Sequence, residues 1–240
     1  APTRRHLPIH WPLVLRVLFL LLFLWSLNKL PKRLVVYGPP QTVITRNQKI
    51  GVHTRLTDEV EEWKIQRTLQ MVREMGSPWV VEYFPWAYAE PQRGQYSWEH
   101  SDTVIEHAQA QGLTLIARID YVPAWARPLG TTDRYLAPEN YADYAHFVAM
   151  FAERYRETVS YIIVWNEPNL SFEWGYRPVD PEAYVALLAE TYQAVKAVAP
   201  NTVILAAGLA PTMAPPGSEW GMDDLEYLRR MYAAGAAQWF

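Results

Sequence analysis

Seven consecutive residues, Ile163-Val164-Trp165-Asn166-Glu167-Pro168-Asn169, place an indole, a primary amide and a carboxylic acid side by side at the end of an apolar run. A carboxylic acid at the end of a buried strand is rigidly held, and burial beside aromatic rings raises its pKa toward neutrality. Such a group can deliver a proton to a leaving oxygen, which is what cleavage of a glycosidic bond requires. Trp165 and Trp174 are close enough in sequence to supply the apolar setting. Asn166 offers hydrogen bonds to a sugar hydroxyl of the kind that strengthens as the transition state forms. Pro168 fixes its own φ and biases Glu167 away from the helical region, so extended backbone is expected there. The competing reading of Glu167 is a solvated loop carboxylate paired with a neighbour such as Arg177.

Other side chains with chemical potential gather at comparable places. His53, Trp86, Tyr121 and Trp125 each follow an apolar run, and Trp174 lies a few residues beyond Glu167. The aromatic rings suit stacking on sugar faces or, equally, packing into a wall. His53 suits a bond to a sugar hydroxyl or a satisfied place in the core. Glu90 is expected to close its own loop by accepting backbone N–H groups. Arg118 and Asp120 are two apart and share a side of a strand, as a structural ion pair or as lining of the mouth. No His, Asp or Glu cluster has metal-ligand spacing, so neither a catalytic metal nor any other cofactor is expected, and no serine nucleophile turn is visible.

The elements that position these residues alternate. Apolar runs at Ile50–His53, Trp79–Phe84, Leu113–Asp120, Tyr161–Trp165 and Thr202–Gly208 read as parallel strands buried on both faces. Amphipathic stretches follow each: Thr57–Met75, opened by Thr57-Asp58-Glu59 and closed by Gly76; Ser97–Gln111; Pro138–Tyr155; Asp180 to about Val198; and Asp223–Tyr232. Strict alternation means a parallel sheet, either a barrel or an open doubly wound sheet. The absence of a glycine-rich phosphate turn after the first strand and the clustering of polar residues after strands favour the barrel. A complete (β/α)8 TIM barrel takes about 250 residues. Residues 49–240 supply only the first five βα units, so the barrel is expected to be incomplete at its C-terminus.

A resemblance adds to this reading. The Trp-Asn-Glu-Pro segment is similar to the fourth-strand signature of glycoside hydrolase clan A. The stretch Phe84-Pro85-Trp86-Ala87-Tyr88-Ala89-Glu90-Pro91-Gln92-Arg93-Gly94-Gln95-Tyr96-Ser97-Trp98 resembles the second-strand loop of family 39 and its neighbours, and Val122-Pro123-Ala124-Trp125 resembles their third-strand end. The resemblance implies a retaining glycosidase acting on a β-linked poly- or oligosaccharide. Glu167 would be the general acid/base and Asn166 the partner of the sugar 2-hydroxyl. The clan's nucleophile, a second glutamate on the seventh strand, has no counterpart here: Glu82, Glu90, Asp120, Glu173 and Glu219 are not on such a strand. The 240 residues alone are therefore expected to lack normal turnover. A barrel that binds glycan without cutting it is the alternative, and a nucleotide-dependent enzyme lacks its phosphate loop.

The remaining features bound the partners. The net charge of −3, with no basic stripe beyond the N-terminus, argues against nucleic acid, and the absence of cysteine excludes disulfides and thiolate metal sites. Eleven Trp and fifteen Tyr against seven Phe favour rings with a polar edge. Leu13–Leu27 is apolar except for Arg16 and Ser26. A membrane-spanning helix needs about 20 apolar residues, and Trp11–Leu30 reaches that if Arg16 snorkels. Residues 1–30 therefore read as an N-terminal hydrophobic helix acting as a signal-anchor, ahead of a cleaved signal peptide or a core helix. Residues 31–48, with Gly38-Pro39-Pro40, read as a linker. The catalytic domain, residues 49–240, would then lie outside the cell, tethered to the membrane or secreted.

Overall fold

The computed structural model describes residues 10–27 and 38–240. Two compact units are present, divided between Gly38 and Pro39. The first contains helix α1 (Trp11–Leu27), whose 17 residues include a Ser26 hydroxyl that donates to the Phe23 carbonyl. Among the described residues no helix is long and apolar enough to cross a membrane. The expectation of a transmembrane anchor and membrane attachment is therefore not supported among the described residues, and the expected span Trp11–Leu30 runs on into residues 28–30, which lie outside them. The flanking Arg4, Arg5, His6, Lys29, Leu30, Lys32 and Arg33, and the linker as far as Tyr37, lie outside the described residues. The rest of the expected linker belongs to the second unit. There Gln41 N–H donates to Ala110 O at 3.0 Å, Val43 packs on the core, and Trp79 Nε1 reaches Gln48 O at 2.8 Å.

The second unit is built from β1 (Gly51–His53), α2 (Glu62–Glu74), β2 (Trp79–Pro85), α3 (Trp86–Ala89), α4 (Glu99–Ala110), β3 (Thr114–Asp120), α5 (Tyr141–Arg154), β4 (Tyr161–Val164), α6 (Pro181–Val198), β5 (Val203–Ala206) and α7 (Asp224–Ala233). All strand pairs are parallel, and the sheet order is β1-β2-β3-β4-β5. Each strand therefore lies beside its sequence neighbour with no reversal. A doubly wound sheet reverses at a switch point, whereas winding in one direction is what a barrel needs. The unit is a five-stranded partial (β/α) fold.

Helix starts follow the sequence where a cap is local. Asp180 accepts from Ala183 N at 2.9 Å and Asp223 from Glu226 N at 3.0 Å, satisfying orphan amides of α6 and α7. The expected start at Thr57 fails, and α2 begins at Glu62. The Thr57 hydroxyl is drawn instead to Tyr83 O and Glu82. Tertiary partners on β2 win over the cap. The expectation of strands buried on both faces is likewise corrected. In β3, Leu115, Ala117 and Ile119 are buried, whereas Ile116 and Arg118 are half-buried. In β4, Ile162 and Val164 are buried against half-buried Tyr161 and Ile163. The buried set belongs to the core shared with the helices, including Val148, Phe151, Leu187 and Leu188. The other set occupies the opposite face, and there Tyr83, Arg118 and Ile163 stand in register.

Candidate active site

The C-terminal ends of β3 and β4 carry backbone strain. Four non-glycine residues have positive φ among the described residues: Tyr121 (64°), Trp165 (73°), Glu167 (37°) and Tyr176 (57°). All four follow β3 or β4. Such conformations cost on the order of 1–3 kcal/mol each and persist only where the surroundings over-determine them. The surroundings are visible. Trp165 N–H donates to Ile119 O at 3.0 Å, and its indole donates to Glu173 O at 2.9 Å. Leu170 N–H returns to Glu167 O at 3.0 Å. Buried Asn169 donates to Ala210 O (2.9 Å) and Met222 O (3.1 Å) and accepts from Ala210 N (2.9 Å), which fastens the β4 loop to the β5 loop. That anchor overrides the extended preference expected of a residue before proline, and Glu167 turns left-handed instead.

Glu167 and Asn166 are half-buried at this rim. Arg177, the partner offered by the bland reading, is engaged elsewhere. It donates to Trp174 O and Leu136 O at 3.1 and 2.8 Å and lies over the Tyr135 and Trp174 rings. Glu167 lies close enough to Glu173 for its charge to oppose ionisation there. Glu173 itself is buried, and burial is the leading cause that pushes its carboxyl above the usual range, with Arg134 and the Asn166 amide pulling it back.

Around these two glutamates the structure assembles a cluster of charges, of which the sequence offered only the pairing of Arg118 with Asp120. Arg118 donates to Asn166 Oδ1 at 2.7 Å and approaches Asp120 at 3.7 Å. Arg134 bonds Asp120 at 2.6 Å and Glu173 at 3.2 Å. The Arg118 guanidinium lies over Tyr83 (4.9 Å) and Arg134 over Tyr121 (4.2 Å), with Tyr83 and Tyr121 edge to face at 5.4 Å. Asp120 is fully buried. Burial drives its pKa up, and Arg134 and then Arg118 oppose that. Gly175 permits the assembly. Its φ is +76°, and a Cβ there would stand 2.7 Å from Tyr135 Cα, so only glycine lets the β4 loop press against the segment carrying Arg134.

The predicted sugar platforms divide. Trp86, Trp165 and Trp174 are fully buried and offer no open face. Trp86 stacks on Phe147 and meets Trp125 and Tyr144 by its edge, and Trp165 meets Trp174. These three are wall. Trp125 is half-buried, but Arg93 lies over its ring at 4.9 Å. Tyr121 is half-buried beside the charge cluster. His53 reaches solvent at the end of β1. Partial desolvation, then Arg118, then Arg55 hold its imidazole below the usual histidine range, so it shares the field of the same arginine as Asn166. Glu90 closes its own loop, accepting from Trp86 Nε1 and Gly94 N, each at 2.7 Å. Sequence reasoning missed Arg134 altogether and set Glu173 aside, because neither sits in a motif. A cleft of about 1190 Å³ lies to one side, between the loops that follow β4 and β5. Tyr176, Arg177, Met213, Glu219 and Arg230 are among its lining residues, and Glu167 is not. Among the described residues no group of three or more His, Asp or Glu side chains could hold a metal ion.

Comparisons with known proteins bear on the fold. The sequence model of the family Glyco_hydro_42, described as beta-galactosidase, matches residues 56–136. No curated protein matches the chain. Among solved structures, a family 39 glycoside hydrolase from the gut symbiont Bacteroides cellulosilyticus WH2 is 25% identical, with a TM-score of 0.53 over 65% of this chain and 30% of that one. An exo-beta-1,4-mannosidase from Opitutaceae bacterium strain TAV5 is 16% identical, with a TM-score of 0.54 over 80% of this chain and 40% of that one. GH5_18 from Streptomyces cattleya, solved in complex with GlcNAc, is 17% identical, with a TM-score of 0.53 over 72% and 45%. The chain thus spans between 30% and 45% of the length of these structures. Its similarity is to clan A glycoside hydrolases, with which it shares a partial (β/α) fold.

Proposed function

We propose that this chain carries the acid/base half of a retaining glycoside hydrolase acting on a β-linked poly- or oligosaccharide. Glu167 is the general acid/base, and Asn166 is the amide that meets the sugar hydroxyl beside the reacting carbon. The observation that carries the reading is the strained end of β4. There Glu167 is held in a left-handed conformation at the rim, on the side of Glu173 and next to Asn166, while Arg177 is occupied elsewhere. Strain maintained by a buried asparagine anchor is expected where the position of a side chain matters more than local stability. His53 and Tyr121 line the same rim and are the side chains available to contact the sugar.

In this mechanism Glu167 protonates the glycosidic oxygen as the bond breaks, then removes a proton from the water that releases the sugar. The second carboxyl, the nucleophile, must stand about 5–5.5 Å from the first. Asp120 and Glu173 are tied into ion pairs, so we assign that role to a residue outside these 240. The test is hydrolysis of aryl β-glycosides by the protein encoded by the open reading frame that contains this chain. Glu167→Gln should lower turnover by about 10²-fold or more for poor leaving groups and much less for activated ones, since an activated group leaves without proton transfer. Full activity of Glu167→Gln on a poor leaving group would refute the assignment.

A further inference from the structure

The Asn166 amide is held by its oxygen. Arg118 donates to its Oδ1 at 2.7 Å. A guanidinium has donors and no acceptor, so this contact fixes which end of the amide is oxygen and turns the NH2 group away from β3. On the other side stands the Glu173 carboxylate, close enough for the amide to favour its ionised form. Both neighbours are themselves held. Arg118 lies on the Tyr83 ring at 4.9 Å and beside Asp120 at 3.7 Å. Glu173 is paired with Arg134 at 3.2 Å, and Arg134 bonds Asp120 at 2.6 Å. The buried circuit Arg118–Asp120–Arg134–Glu173 therefore runs through β3, the segment after it and the β4 loop, and Asn166 hangs from its Arg118 end. Two cations balance two carboxylates, and Asp120 and Glu173 are buried. With the oxygen end fixed at Arg118, the NH2 end is the one left for a group beside Glu167.

We propose that Arg118 is a positioning residue that locks the Asn166 amide so that its NH2 group, not its oxygen, faces the substrate. This rests on the reading of Glu167 as the acid/base. The lock has a chemical consequence for specificity. A donor that cannot turn round requires an acceptor opposite it. A sugar 2-hydroxyl can accept. A 2-deoxy position offers nothing, and a protonated 2-amino group has only donors and is rejected. A free amide could rotate by half a turn and accept from the ammonium, so unlocking it should relax the discrimination.

Two measurements test the lock. In the 240-residue chain, the side-chain ¹⁵N–¹H pair of Asn166, identified by its loss in Asn166→Ala, should show two well separated signals protected from solvent exchange. Arg118→Met should bring them together and expose them, and Arg118→Lys, which keeps a donor, should preserve part of the separation. In the active protein, matched 4-nitrophenyl β-glycosides with a 2-hydroxyl, a 2-deoxy and a 2-ammonio group are compared. Arg118→Met should reduce the 2-hydroxy preference in kcat/KM by about tenfold, the worth of one hydrogen bond. It should leave the 2-deoxy substrate nearly unchanged and raise the relative rate on the 2-ammonio sugar. A uniform fall across all three substrates would mean a merely structural role and would overturn the proposal, as would unchanged amide signals in Arg118→Met. Should Arg118→Met not fold, Arg118→Lys carries the same comparison. If the amide signals behave as expected while Glu167→Gln stays fully active, the lock stands and the acid/base reading falls.

Discussion

Two loops of this molecule use the same residue types for different ends. After β2, Trp86 is followed four residues later by Glu90; after β4, Trp165 is followed two residues later by Glu167. Both indoles are fully buried wall. The carboxyls differ in what already occupies their oxygens. Glu90 is 3% exposed and receives the Trp86 indole N–H and the Gly94 amide, one on each oxygen. In the β4 loop the bonds are carried by others: the Trp165 indole goes to the Glu173 carbonyl, and Asn169 ties the loop to Ala210 and Met222. Glu167 is left half-buried with its carboxylate at the rim. A glutamate in an aromatic loop is therefore not assigned by its neighbours' names. What decides is whether its lone pairs are already used inside the fold.

That contrast can be broken experimentally, beginning with the largest effect. Trp86→Ala should destabilise the second unit by about 4 kcal/mol, because it empties a fully buried site ringed by Trp125, Tyr144 and Phe147. Urea unfolding measures this, and a loss below about 1 kcal/mol would mean that the loop does not rest on the indole. Glu90→Ala comes next. It strands two N–H groups that a buried carboxylate had satisfied, at about 3 kcal/mol. Glu167→Ala in the same assay should move stability by no more than about 0.5 kcal/mol. Equal losses for the two glutamates would erase the distinction. Gly175→Ala should cost about 2 kcal/mol or more, since the new Cβ meets backbone at Tyr135 and the residue must stay left-handed. It should also weaken the Arg134–Glu173 contact, seen as a change in the titration of Glu173.

Most of the fold was legible in the sequence, and the reasons are local. Each strand is a short apolar run, and α6 and α7 are announced by Asp180 and Asp223, which cap their own helices. Glu167 and Asn166 stood out because four uncommon residue types follow one another after a strand. What was not legible depends on contacts between segments distant in sequence. Thr57 resembles a helix cap but is taken by β2. Arg134 sits in a connection with no pattern and matters only because Gly175 brings Glu173 against it. Trp86 and Trp174 looked like platforms because composition cannot tell a ring in a wall from a ring at a rim. The left-handed turn at Glu167 opposes the local preference set by Pro168, and it required the distant anchor at Asn169 to prevail.

The smallest expected effect tests the outer layer of the same architecture, where charges meet in solvent rather than in the buried circuit. Glu182 in the first turn of α6 pairs with Arg230 of α7, with one hydrogen bond of 3.0 Å. The hydrogen bond from Arg230 is the leading cause that lowers the Glu182 pKa from its ordinary value of 4.5. A carboxyl whose folded pKa lies below its unfolded one stabilises the fold above the unfolded value, and that contribution disappears as pH falls through the folded value. The pair is exposed, so screening limits it to about 0.5 kcal/mol. Glu182→Gln should therefore differ from the wild type by that small amount near neutral pH and merge with it below about pH 3. Added salt should shrink the difference at neutral pH. The buried circuit should respond in the opposite sense, because burial raises the folded pKa of Glu173: its ionisation opposes folding above that value, and the penalty is relieved as pH falls through it. In acid, Glu182→Gln should then lose its difference from the wild type while Glu173→Gln loses a stability advantage it held at neutral pH. Parallel pH profiles for the two variants would show that the buried and exposed carboxylates are not distinguished as the geometry requires.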